Sequence, residues 1–218
     1  GTPIHWEVAP DRKANQDLVF VDAMLDKLEA EQCIDTSRIY STGLSNGAFF
    51  SSTLACAMSD RVAAVAPVSG LTRNPDCNPP RPVPVLTFHG TADPILLFNG
   101  GIGKRLGAVL AGKPDTSPLP KAELDGPGYP KAAKDWATAN GCKATFTEKP
   151  VTKTVTQRTF DCPAKATVVF DIIDGGGHTW PGTQFSVPLE KIMGPTEQSI
   201  DANDMIWRFF QRFRLPSN

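Results

Sequence analysis

The sequence has no run of about 18 apolar residues, so no segment reads as a membrane-spanning helix. It also lacks an excess of charge of either sign. Twenty-two Lys and Arg stand against 23 Asp and Glu, a net charge of −1, which excludes a broad electrostatic grip on nucleic acid or on an anionic membrane and points to a small or neutral partner. Five cysteines, at 33, 56, 77, 142 and 162, contain no CxxC pair and no Cys/His cluster at zinc spacing, so no metal site is expected. Histidine is scarce, with three in the chain, which leaves few candidates for acid–base chemistry. The 20 prolines are scattered among apolar runs rather than gathered in a tract, and read as loop punctuation.

At 218 residues the chain is long enough for one sizeable domain with its own core, and a second would be cramped. Residues 16–31 carry Leu18, Val21, Leu25 and Leu28 at the spacing of one helical face. A short strand-prone run, RIYSTG, follows and ends in Gly43; the small-residue stretch 46–58 then suits a helix packed closely on a sheet. Residues 61–70 and 82–90 are near-continuous apolar runs, the pattern of parallel strands buried on both faces. Helical and strand segments alternate, so the fold class is α/β, a mostly parallel sheet flanked by helices. Residues 94–128 are rich in Gly and Pro and too long for an ordinary connection, which marks them as a candidate lid or rim. A helix is expected over 129–142, a core strand over 166–173, and a closing amphipathic helix over 195–213, with Ile200, Met205, Ile206 and Phe209 among its apolar positions.

Within this frame GLSNG, residues 43–47, places Ser45 at the spacing G-x-S-x-G between a strand and a helix, the setting of a nucleophile elbow. A serine hydroxyl attacks a carbonyl only with a base in reach and a third group to orient that base. His5 has no supporting pattern. His89, at the end of a core strand, reads more readily as a packing or loop-fixing residue. His178, in DGGGHTWPG after the last expected strand, is the favoured base, because three glycines let the backbone turn tightly. For the orienting carboxylate, Asp171 and Asp174 lie closer to His178 in sequence, but Asp171 falls inside a strand and Asp174 in its turn. Asp93, in HGTADP, completes the order Ser45, Asp93, His178, each after a strand, that an α/β-hydrolase requires. Asn46 follows the nucleophile, and its backbone N–H is the expected oxyanion donor. Trp180 reads either as a wall of the substrate pocket or as a core tryptophan. Cys142 and Cys162 bracket a polar, β-rich segment, where a disulfide closing about 20 residues would stabilise by roughly 3 kcal/mol. The pairing among Cys33, Cys56 and Cys77 is open.

IDTSRIYSTGLSNGAFF, PVLTFHGTADP and GGGHTWPG resemble the secreted poly(3-hydroxybutyrate) depolymerase and feruloyl esterase group of α/β-hydrolases. The resemblance implies a serine esterase with Ser45 as nucleophile, Asp93 as acid and His178 as base. It implies hydroxyalkanoate or plant-wall aromatic esters, small or polymeric, as substrates, with no metal or organic cofactor. It also implies export and strengthens the pairing of Cys142 with Cys162. One departure stands out. Members of that group begin with several strands and a loop that donates a second oxyanion N–H, and these are absent ahead of the elbow helix here. Gly1 follows neither an initiator Met nor a signal peptide, which points to a processed or trimmed chain. The rival readings are a serine peptidase or acyltransferase of the same fold, and a non-catalytic binding protein without a complete oxyanion hole.

Overall fold

The computed structural model describes residues 5–111 and 117–216. Helix α1 (Gln16–Glu31) starts at Asn15, whose side chain accepts from the N–H groups of Asp17 and Leu18, while Asp17 places a negative charge at the helix's positive end. Leu18, Val21 and Leu25 are buried. Leu28, expected on the same face, is 40% exposed instead. Strand β1 (Tyr40–Leu44) leads directly into α2 (Asn46–Ala57). Two short apolar strands follow, β2 (Ala64–Val68) and β3 (Val85–Gly90), both buried along their whole length.

The long segment after β3 is anchored at its start rather than free. Ile95, Leu96 and Phe98 are buried in the core, and helix α3 (Lys104–Leu110) follows. The Asn99 side chain fastens the segment's two limbs, donating to the Lys121 carbonyl and accepting from the Glu123 N–H. Residues 112–116 of the candidate rim lie outside the described residues. Helix α4 (Tyr129–Ala139) precedes the antiparallel pair β4 (Phe146–Pro150) and β5 (Val155–Phe160), and β6 (Val168–Ile173) returns to the core.

The six strands run in the order β1-β2-β3-β6-β5-β4. β1, β2, β3 and β6 are parallel; β5 and β4 are antiparallel. β1, the strand that carries the elbow, is an edge strand paired on the β2 side, and no strand precedes it among the described residues. Alternation along the strands divides the core in two. Val65, Val85, Val168 and Phe170 face α1, α2 and α4, whereas Val68, Leu86, Phe88 and Val169 face the C-terminal helix. Both faces are covered, as a parallel sheet requires.

The closing helix is shorter than its apolar pattern suggests. A single turn, α5 (Glu190–Met193), precedes it, and α6 spans Ala202–Phe210. Asp201 sets its start by accepting from the N–H groups of Asn203 and Asp204, so the buried Ile200 belongs to the preceding loop. Two disulfides fasten the periphery. Cys56–Cys77 ties the end of α2 to the loop after β2, and Cys142–Cys162 ties the chain after α4 to the end of β5. Cys33 is free and exposed. No described helix is long and apolar enough to cross a membrane.

Candidate active site

Three loops leave the carboxyl ends of β1, β3 and β6 on one edge of the sheet, the edge where ligands bind in folds of this kind. Ser45 occupies the first. Its φ of 59° and ψ of −118° form a conformation that costs a non-glycine residue about 1–3 kcal/mol and persists only when its surroundings enforce it. The enforcement is visible. The Ser45 N–H donates to the Val68 carbonyl, and the Ser45 carbonyl accepts from Ala48 and Phe49, opening α2. A Cβ at Gly43 would lie 2.6 Å from the Gly47 backbone, and one at Gly70 would lie 2.8 Å from the Ser45 carbonyl oxygen. The turn is therefore closed by Gly43 and Gly70. Gly47 itself has nothing within 4 Å of a built Cβ, so the second glycine of the motif is not demanded by contact. The N-terminal N–H groups of α2 concentrate positive potential next to the serine.

Asp93 is buried in the loop after β3 and is held by three N–H groups. Its Oδ1 accepts from the backbone of Ile95 and Leu96, both at 2.8 Å, and its Oδ2 lies 2.8 Å from His178 Nδ1. His178 is 2% exposed. The two residues are 85 apart in sequence and meet because their loops approach as bare backbone. A Cβ at Gly90 would sit 2.0 Å from the Gly176 carbonyl oxygen, and one at Gly177 would sit 2.3 Å from that of Met193. The loop of His178 is then fixed by backbone bonds from Gly177 to Pro195 and from His178 to Met193.

The remaining candidates are held in other contacts. His89 is fully buried beside the Asp93–His178 pair, stacked on Tyr129 with ring centroids 3.5 Å apart, and burial pushes its pKa down to about 4. A ring that stays neutral and shielded from solvent is a poor proton shuttle at neutral pH. Asp171 points into the α6-side core, where its Oδ1 accepts from the Gln157 amide. Asp174 sits at the turn after β6 and accepts from the Thr91 hydroxyl. Trp180 is half-buried against the α6-side cluster, its indole N–H donating to Asn203. His5 is exposed.

One arrangement had no signal in the sequence. The Asn46 side chain accepts from the Trp6 N–H at 2.6 Å and donates to the Trp6 carbonyl at 3.1 Å, and the Trp6 ring stacks on Phe50 at 4.6 Å. The Thr53 hydroxyl holds the Val8 carbonyl, and Asn15 holds those of Glu7 and Ala9. Residues 6–9 thus form a strap over the first turns of α2, next to the serine. Asn46, Phe50 and Thr53 share one helical face, but nothing periodic marks their partner.

No family model matches the chain. It is 30% identical to feruloyl esterase B of Piromyces equi over 79% of its own length and 31% of that protein. It is 28% identical to a protein of Aspergillus oryzae named probable feruloyl esterase C, over 89% of its length and 57% of that protein. The chain thus spans about a third to somewhat over half of the curated relatives it matches. An acetyl xylan esterase from Aspergillus awamori superposes with a TM-score of 0.56 at 14% identity, covering 97% of this chain and 74% of that one. The fold is that of an α/β-hydrolase, and the named relatives are esterases.

Proposed function

We propose that this chain hydrolyses carboxylic esters through an acyl-enzyme formed on Ser45. The observation that carries the reading is the 2.8 Å contact between His178 Nδ1 and the buried Asp93 carboxylate, on the same sheet edge as a serine held at φ 59°. With Nδ1–H committed to Asp93, the lone pair of the imidazole is on Nε2, the nitrogen left to accept the serine proton. Ser45 Oγ attacks the ester carbonyl as Nε2 takes its proton. The resulting imidazolium is stabilised by Asp93, and the oxyanion by the Asn46 N–H at the start of α2. His178 then returns the proton to the departing alcohol. Water repeats the attack on the acyl-enzyme, delivering its proton by the same route and freeing the serine.

The esterase names of the relatives support ester over amide substrates, and the feruloyl esterases among them support feruloyl-type aromatic acid esters; hydroxyalkanoate esters, the second class, rest on the sequence motifs alone. The two disulfides support an extracellular setting. Trp180 and the 94–128 segment remain the candidates for the pocket wall and rim.

The test replaces Ser45 with Ala. Turnover of p-nitrophenyl and feruloyl esters should fall by a factor of about 10⁶, toward the residual rate left when a serine nucleophile is removed. Covalent labelling by a fluorophosphonate should vanish with it. A variant that keeps its ester turnover rejects the reading, and anilide cleavage at rates matching the ester would turn it toward a peptidase.

A further inference from the structure

Beside the Asp93–His178 pair lies a second imidazole that the acyl-transfer scheme does not use. His89 Nε2 is 2.9 Å from the Leu96 carbonyl oxygen. A carbonyl can only accept, so Nε2 carries the proton, and Nδ1 is left as a buried acceptor with no partner among the described residues. The Nε2 atom also lies 3.4 Å from Asp93 Oδ2, the oxygen that meets His178, an electrostatic contact and not a hydrogen bond. Leu96 is held at both ends, since its own N–H donates to Asp93 Oδ1. Asp93, Leu96 and His89 therefore close a ring of polar contacts around the carboxylate. Tyr129 covers the flat face of His89, and Phe98 meets it edge-on. The titratable groups facing His89 are Asp93, His178 and Tyr129.

We propose that His89 is a positioning residue for the Asp93–His178 pair: its Nε2–H, donated to the Leu96 carbonyl, fixes the 93–96 loop, whose Leu96 N–H in turn holds Asp93 Oδ1 and keeps the carboxylate in line with His178 Nδ1. The proposal assigns a task to an otherwise costly feature. A packing role alone is met by any flat ring against Tyr129, without burying a polar ring whose second nitrogen has no partner among the described residues. The partial positive charge on Nε2–H also tempers the field of Asp93 at His178. Its removal strengthens that field. The inference rests on the reading of Asp93 and His178 as acid and base.

The experiment compares His89→Phe, which keeps a flat ring against Tyr129, with His89→Gln, which returns an N–H near the position of Nε2. His89→Phe should lower kcat/KM about tenfold with KM unchanged, the upper size of one lost neutral hydrogen bond. His89→Gln should restore it. A folded His89→Phe with wild-type kcat/KM, or a loss that His89→Gln does not reverse, overturns the proposal. Should His89→Phe fail to fold, the wild-type ¹⁵N-imidazole NMR spectrum decides: the proposal requires His89 protonated at Nε2 across pH 5.5–8, and an Nδ1–H tautomer or a His89 titration in that range overturns it. Because the His89 tautomer is read without substrate, a protein that hydrolyses no ester would sink the proposed function while this test still gave its own answer.

Discussion

Two buried aspartates on neighbouring strands of one sheet meet opposite surroundings. Asp93, in the loop leaving β3, is 1% exposed and accepts from two backbone N–H groups and an imidazole. Asp171, in the middle of β6, is completely buried, and one amide reaches its Oδ1 while its Oδ2 has no partner among the described residues. The difference lies in the backbone. Mid-strand N–H groups are consumed by the ladder, here on both sides of β6, so none is left for a side chain. Past the strand end the ladder stops, and the N–H groups of Ile95 and Leu96 turn onto the carboxylate. Burial, only partly offset by the Gln157 amide, pushes the Asp171 pKa up to about 7, which makes it an acid that gives up its proton only reluctantly. Sequence distance from the base has no bearing on either outcome.

The sharpest way to break this comparison is to remove the charge at the loop site. Asp93→Asn should lower kcat by a factor of about 10³–10⁴ while leaving the melting temperature nearly unchanged, because an amide no longer enforces the Nδ1–H tautomer of His178 or stabilises its imidazolium. The check is a steady-state ester assay alongside a thermal melt. A kcat within tenfold of wild type would place the orienting carboxylate elsewhere and undo the contrast with Asp171.

Much of this architecture was legible because short-range pattern and burial coincide. The apolar runs at 61–70 and 82–90 are β2 and β3, where every residue is buried, and the G-x-S-x-G turn lies at the end of β1 before α2. Legibility failed where the pattern and the fold part. The polar, β-rich stretch between Cys142 and Cys162 holds β4 and β5, but β4 is exposed along its length, so its bounds and its pairing with β5 are set by the ladder and not by an apolar pattern. Ile200 prolongs the apolar rhythm of α6 backward, but Asp201 caps the helix after it. The Asn46–Trp6 contact spans 40 residues and depends on a strap whose course no local rule sets. For the candidate site, chain order supplied Ser45, Asp93 and His178. The approach that joins the last two depends on backbone passing backbone at Gly90 and Gly176, which only coordinates display.

The strand site offers a second, smaller test, in stability. The folded pKa of Asp171, about 7, lies above its ordinary value of 3.8, so the folded state binds the proton more tightly than the unfolded chain does. Its contribution is fully present below about pH 4 and is lost as pH rises through about 7. His89 acts with the opposite sign. Its folded pKa of about 4 lies below 6.5, so its contribution is present above 6.5 and is lost as pH falls through 4. Replacing Asp171 with Asn removes the first of these slopes and leaves the second. Urea midpoints between pH 5 and 8 should then fall less steeply, or rise, with increasing pH in the variant. Parallel profiles for the two proteins would mean that Asp171 is not held protonated in the fold.

Asp174 supplies the smallest expected effect and the control for both. It lies closer to His178 in sequence than either of the other two, yet it is exposed in the turn after β6, where its Oδ1 accepts from the Thr91 hydroxyl at 3.3 Å. Thr91 in turn accepts from the Gly175 N–H at 2.8 Å, so the turn keeps its shorter bond when the carboxylate is neutralised. Asp174→Asn should therefore change kcat by less than about twofold and stability by less than about 0.5 kcal/mol, as expected for a surface substitution with its hydrogen bond retained. A large loss of kcat in this variant, measured beside Asp93→Asn, would show that charge near the His178 loop matters irrespective of burial and donors, and the distinction drawn between loop and strand sites would fail with it.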